Sequence, residues 1–196
     1  MEPKYFFTIL FLTTFLSFQL SFSSSTPSAQ QNKYSTFIKS SCNSTTYPSQ
    51  CVKYLLPYAS AVKTNPLSLV KVALHTTLRS ANATLYTVTQ LYKTKSITKW
   101  EAAVLKDCIE DIKDTMDELK SSIKEISSIP KSKDKHFAIS NAQTWTSAAI
   151  TDENSCLDGF SDRKVNQAIK QKIRNSIVNL ARVSSNALYL INHLAV

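Results

Sequence analysis

Residues 144–160 read TWTSAAITDENSCLDGF, and the fold of this chain is read outward from them. The stretch holds one of two tryptophans (Trp145), the only glycine (Gly159) and the last of four cysteines (Cys156). Small residues, Ser147, Ala148, Ala149 and Ser155, crowd one side and let a second helix approach closely. Asp152, Glu153 and Asp158 add a small acidic cluster. Such a run predicts a helix packed hard on a neighbour, ending near Gly159, a usual C-cap residue. Cys156 near that end suggests a covalent tie to the neighbour. No residue in the stretch points to catalysis.

One glycine in 196 residues weighs against β-hairpins and glycine-rich phosphate loops, because both need residues at positive φ. Six prolines fall mostly outside the periodic segments. An all-α chain is the natural reading. The formal charge is +9, and taking away an N-terminal segment with Glu2 and Lys4 leaves it unchanged. A basic surface suits nucleic acid, anionic lipid or an acidic polysaccharide, and the compartment chooses among them.

Residues 1–25 have the layout of a secretory signal peptide: Lys4, an apolar run from Tyr5 to Phe18, then the small-residue tract Ser21–Ser25. Cleavage is expected after Ser23, Ser25 or Ala29. The run is shorter than the roughly 20 residues a membrane anchor needs, and Thr13, Thr14 and Ser17 interrupt it. A secreted, extracellular protein follows, with no membrane segment once mature. Nucleic acid is disfavoured as a partner, despite Lys131, Lys133, Lys135 and the Lys170, Lys172, Arg174 cluster.

Four cysteines in a secreted chain imply two disulfides, for which three pairings exist. Cys42 and Cys51 flank a short Tyr47-Pro48 turn, so a local bridge is easiest there, which leaves Cys108 with Cys156. In the chain-entropy view these bridges contribute about 2.7 and 4 kcal/mol. Asn43-Ser-Thr and Asn82-Ala-Thr are glycosylation sequons.

After a Ser/Gln-rich spacer, residues 33–62 read as short helical pieces around the first cysteine pair, a disulfide-pinned α-hairpin arm. Whether it folds on its own core or on another chain stays open at this level. Asn65-Pro66 is a strong helix start. Leu67, Val70, Leu74, Leu78, Ala81, Leu85, Val88 and Tyr92 then recur at helical steps. A second helix opens at Thr98 or Lys99, with Leu105, Cys108, Ile112, Met116, Leu119, Ile123 and Ile126 as its stripe. Its outer face carries Glu110, Asp114 and Asp117, flanked by Asp111 and Glu118. A third helix is expected over 137–159 and a fourth over 165–194, with Ile173, Leu180, Ala187 and Leu194 in register. Short connections favour an up-down-up-down four-helix bundle over 65–196, with the arm as an N-terminal α-hairpin extension, rather than a coiled coil. Cys108–Cys156 would then staple helices two and three.

The case for an enzyme is thin. His75, His136 and His193 lie on separate segments without metal-ligand spacing, and one glycine rules out a G-x-S-x-G elbow. With the cysteines paired, no thiol nucleophile is left. No cofactor or metal is implied. A carboxylate-rich helix face is usually only solvated surface. Saposin-like and cytokine-like modules are alternatives for a basic four-cysteine helical domain, the former normally smaller and richer in cysteine.

Motifs along the chain resemble the plant invertase/pectin methylesterase inhibitor family. They are Phe37-Ile-Lys-Ser-Ser-Cys42, Tyr47-Pro-Ser-Gln-Cys51, Ala103-Val-Leu-Lys-Asp-Cys-Ile-Glu110, the TW-x-SAA…C-x-D-GF stretch, and Ser185-Asn-Ala-Leu-Tyr-Leu190. The match spans residues 34–194 and takes in all four cysteines. The resemblance implies a secreted four-helix bundle with an N-terminal α-hairpin, disulfides pairing first with second and third with fourth, and inhibition of a cell-wall enzyme. The esterase branch covers its target's substrate cleft as a one-to-one complex. The invertase branch tends to carry Pro-Lys-Phe where this chain has Pro130-Lys131-Ser132. Pectin methylesterase is therefore the favoured target, with acid invertase as the alternative. Contact residues carried over from the family are Glu110, Asp114, Ser155 and Asp158, the serine standing where relatives often have threonine. In that setting the positive field would also retain the protein on de-esterified pectin.

Overall fold

The computed structural model describes residues 27–161 and 165–195. The expected signal peptide lies outside these residues. The chain divides into two units, residues 1–30 and 31–196; of the first, residues 27–30 are described and are helical. The described residues contain helices and no strand.

Helix α1 covers Pro27–Asn43, α2 Pro48–Leu55 and α3 Ala59–Val62, with a 3-10 turn at Leu56–Tyr58. The Ser/Gln-rich spacer is therefore already helical from Pro27, a residue suited to the first helical position, followed by alanine and glutamine. Four long helices follow: α4 (Pro66–Tyr92), α5 (Lys99–Ser128), α6 (Lys135–Asp158) and α7 (Gln167–Asn192). They pack as α4–α5, α5–α6, α6–α7 and α7–α4, the closed ring of an up-down-up-down bundle.

Each long helix starts on a side-chain cap. Asn65 accepts from the Ser68 amide at 2.9 Å with Pro66 behind it, and Asp134 accepts from the Phe137 amide at 2.9 Å. Thr98 and Glu101 form a reciprocal capping box on α5. The second Glu101 oxygen accepts from the Asn166 amide at 2.7 Å, and Asn166 in turn caps α7 through the Ala168 amide. One carboxylate thus ties the starts of two helices, and these bonds hold its pKa below the usual value, the Thr98 amide first. The third and fourth helices differ from the expected 137–159 and 165–194 because Asp134 and Asn166 are the caps, so helix begins one residue after each.

The interior comprises two apolar clusters. One gathers the arm residues Ile38, Cys42, Cys51, Leu55, Ala59 and Val62 with Leu74, Leu119, Ile126 and Leu180. The other surrounds Cys108 and Cys156 with Leu105, Ile112, Ile173 and Ile177. The arm thus folds on its own bundle. Asn186 on α7 secures it by receiving the Tyr47 amide and donating to the Tyr47 carbonyl, both at 2.9 Å. The disulfides join Cys42 to Cys51 and Cys108 to Cys156.

The α4 stripe is more polar than its apolar periodicity indicates. Thr76, Thr77, Ser80 and Thr84 are buried, whereas Tyr92, at the last turn, is exposed. Thr76 and Thr77 satisfy their hydroxyls on the Ala73 carbonyl of their own helix, so they pack as small β-branched groups.

Candidate functional site on the outer face of α5 and α6

Helices α5 and α6 pack through small groups. Ser122 Oγ reaches the Ala142 carbonyl at 3.0 Å and Thr146 Oγ1 at 2.9 Å, while Thr115 donates to the Ala149 carbonyl at 3.3 Å. The Cys108–Cys156 bond closes the seam with Cα atoms 4.4 Å apart. The contacting face is thus Ala142, Thr146, Ala149 and Cys156; Ser147 and Ser155 are exposed and Ala148 only half-buried. This corrects the small-residue side expected from sequence. The helix turns its side chains so that i, i+4, i+7 and i+14, counted from Ala142, meet the neighbour.

Gly159 needs no glycine-specific backbone, since its φ is −55°. An added Cβ would meet the Cys156 carbonyl at 3.5 Å and Val104 Cγ1 at 3.6 Å, ordinary contact distances.

Asp152, Glu153 and Asp158 do not form one cluster. At about 100° per residue they leave α6 in three directions. Asp158 is exposed. Asp152 is half-buried and faces α5. Glu153 is buried without solvent access and takes the Ser184 hydroxyl of α7 on Oε1 at 2.5 Å. Burial pushes its carboxyl up to about 8, assisted by the charges of Asp152 and Glu118 and opposed by the Ser184 bond. At neutral pH it is mainly a protonated acid, which is how a carboxyl survives in such a place.

On α5 the carboxylates fall into two groups. Glu110 and Asp117 point outward and meet lysines of their own helix, Lys106 at 3.9 Å and Lys120 at 2.7 Å. Asp111 and Glu118 lean toward α6. Burial raises Asp111 to about 6, with Asp152, Asp107, Asp114 and Glu110 adding repulsion. Burial raises Glu118 to about 8, with the neighbouring Asp152 carboxyl and the charge of Asp114 adding to it. Asp111 and Glu118 thus sit along the α5–α6 seam beside Asp152, and both keep their protons to higher pH than an ordinary carboxylate.

Glu110, Asp114, Ser155 and Asp158 are all exposed on α5 and α6. Glu110 and Asp114 lie roughly 40° apart around the helix axis. The Ser155 hydroxyl donates to the Thr151 carbonyl of its own helix at 3.1 Å. Sequence reasoning placed Asp111 and Glu118 only on the flanks and grouped Asp152 with Glu153 and Asp158 instead of with these two. The signal was the seven-residue spacing from Asp111 to Glu118, two turns on one side of α5. Among the described residues no group of three His, Cys, Asp or Glu side chains could hold a metal. His75 and His136 are exposed, and His193 stacks on Tyr189 at 3.9 Å.

A closed four-helix ring, a disulfide-pinned arm and a second disulfide between α5 and α6 define a stapled all-helical bundle domain. The family described as plant invertase/pectin methylesterase inhibitor matches residues 36–190, and the chain belongs to it. It is 42% identical to pectinesterase inhibitor 11 of Arabidopsis thaliana over 98% of each chain. It is 40% identical to pectinesterase inhibitor 4 of the same plant, over 86% of this chain and 85% of that one. The fold matches the crystal structure of a mutant form of a pectin methylesterase inhibitor from Arabidopsis at a TM-score of 0.59, with 22% identity, covering 79% of this chain and 94% of that one.

Proposed function

We propose that this chain is a secreted protein inhibitor of pectin methylesterase that covers the esterase's substrate cleft in a one-to-one complex and so limits de-esterification of cell-wall pectin. The observation that carries this reading is the end-to-end similarity, at 42% identity, to a relative named a pectinesterase inhibitor. The α5–α6 face suits the task chemically. A cleft built for a chain of sugar acids presents donors and cations at regular intervals, and exposed carboxylates can occupy those positions. Glu110, Asp114 and Asp158 would supply the carboxylates and Ser155 a hydroxyl at the rim. The staple at Cys108–Cys156 holds the two helices that carry them in fixed register, so little order is lost on binding.

The layout of residues 1–25 supports secretion, and among the described residues no helix is long and apolar enough to cross a membrane. Asn43 and Asn82 are exposed and open to N-glycans, while the threonines of their sequons, Thr45 and Thr84, are buried.

The deciding experiment titrates the purified secreted protein into a pectin methylesterase and, separately, into an acid invertase. Loss of esterase activity reaching its limit at one inhibitor per enzyme, with invertase untouched, is the expected result. Inhibition of invertase alone would transfer the assignment to the other branch of the family, and inhibition of neither would remove it.

A further inference from the structure

Every acidic residue of this chain outside the first two dozen lies between Glu101 and Asp162. Residues 27–100 carry nine lysines and arginines and no acid; residues 163–196 carry six and no acid. Residues 101–162 carry seven basic and thirteen acidic side chains, a net of −6. The fold turns this linear bias into a spatial one. The acid-free α4 and α7 pack side by side, with the acid-free arm against them, on the opposite side of the ring from α5 and α6. Both ion pairs among the described residues lie on α5, so the cations of the arm, α4 and α7 have no carboxylate to neutralise them.

A cleft of about 490 Å³ opens on that side between α2, α4 and α7. Tyr54 and Tyr58 form its aromatic wall and Lys53 and Arg79 its charges, while hydroxyls of α4 and Ser176 with Asn179 of α7 line the rest. Both rings are held in place. Asn179 donates to the Tyr54 hydroxyl at 2.7 Å, and Arg79 lies over the Tyr58 ring at 5.0 Å while donating to its hydroxyl. A second cleft of about 420 Å³, with Arg174 and Arg182, meets the first at Asn179. Together they make an open channel of cations without carboxylate partners, fixed tyrosines and hydrogen-bonding groups.

We infer that this α2–α4–α7 channel binds an acidic polysaccharide, a run of uronate residues, with a sugar face against Tyr54 and carboxylates at Lys53, Arg174 and Arg79, the last held in place over Tyr58. The lining fits this chemistry. Hydroxyls and amides match sugar hydroxyls, the Tyr54 ring matches the C–H face of a pyranose, and cations without carboxylate partners match one carboxylate per sugar. Polygalacturonate is the particular polyuronate chosen because the proposed function places the protein in pectin; the channel itself stands on its lining. Because it faces away from α5 and α6, one molecule can hold the polymer and an esterase together.

The test measures retardation of the full secreted chain in gels containing polygalacturonate, the fully methyl-esterified polymer, or no polymer. Expected are retardation by polygalacturonate alone and its decline with added salt. Arg79→Gln with Arg174→Gln should weaken binding about ten-fold or more. Lys131→Gln with Lys133→Gln, which removes the same charge from the α5–α6 connection, should change it less than about two-fold. Lys53→Gln with Arg182→Gln is an independent channel pair for which the same loss is expected, and circular dichroism checks the fold of each. Equal losses from channel and connection pairs would show diffuse charge attraction and overturn the site. Equal retention on methyl-esterified polymer, or on phosphatidylserine vesicles at the same salt, would overturn the ligand class. Esterase inhibition is assayed in parallel. Inhibition without channel-dependent polymer binding defeats the channel alone, whereas channel-dependent binding without inhibition defeats only the inhibitor reading.

Discussion

Ser184 of α7 donates its hydroxyl to Glu153 Oε1 of α6 at 2.5 Å, and neither side chain has solvent access. Glu153 Oε2 has no hydrogen-bond partner. A carboxyl in that position tolerates burial while protonated and resists it when charged.

Thermal stability should therefore peak in mildly acidic solution and decline toward pH 8. Glu153 has a folded pKa of about 8 against an ordinary value of 4.5, so the folded chain binds the extra proton. Its contribution is complete below about pH 4.5 and disappears as pH rises through 8, with a slope of at most ~1.4 kcal/mol per pH unit for each such proton. Glu118, also raised to about 8, acts in the same direction. Glu153→Gln should flatten the profile and raise the melting temperature at pH 8 relative to the parent. A parent profile that climbs from pH 5 to 8 would contradict this.

Asp158→Ala and Glu110→Ala should each weaken esterase inhibition about ten-fold or more, ~1.4 kcal/mol per decade. Melting temperatures should stay within a degree or two, because both side chains are exposed and the Lys106–Glu110 pair at 3.9 Å contributes little to folding. Inhibition constants and calorimetry on the same preparations separate the two effects. Wild-type inhibition by both variants would move the contact surface away from these carboxylates.

Lys63 has φ 56° and ψ −119° at the turn between α3 and α4, closed by the Asn65 amide on the Val62 carbonyl at 3.2 Å. This is the first central position of a type II′ turn, where glycine is preferred. Lys63→Gly should stabilise the fold by about 1 kcal/mol. Gly159→Ala should be tolerated, since φ is negative there and the new methyl group meets neighbours at 3.5 Å or more. Urea titrations of the two variants give both signs directly.

Removing Cys108–Cys156 by double serine substitution should cost about 4 kcal/mol, and removing Cys42–Cys51 nearer 3, since the longer closed loop restrains the unfolded chain more. Losing the first should also reduce inhibition beyond the stability effect, because it frees α5 from α6 beneath the proposed contact face. Denaturation and inhibition assays on each variant test that asymmetry.

Local chemistry made much of the architecture legible. Asn65-Pro66 and Thr98 announce helix starts because caps act within a single turn, and the α5 stripe from Leu105 to Ile126 shows one buried side because helical periodicity is a local property. The bias of acid toward residues 101–162 is likewise written in the chain. Distant contacts decided the rest. Asp152 and Glu153 are adjacent in sequence, yet one faces α5 and the other is sealed against Ser184, an outcome set by which helices flank α6. The arm's docking depends on Asn186 meeting Tyr47 across 139 positions, and the cationic channel exists only because two acid-free helices far apart in the chain pack together. Burial and electrostatic neighbourhood are properties of packing, so composition alone determined the charges, and tertiary structure determined which of them water could reach.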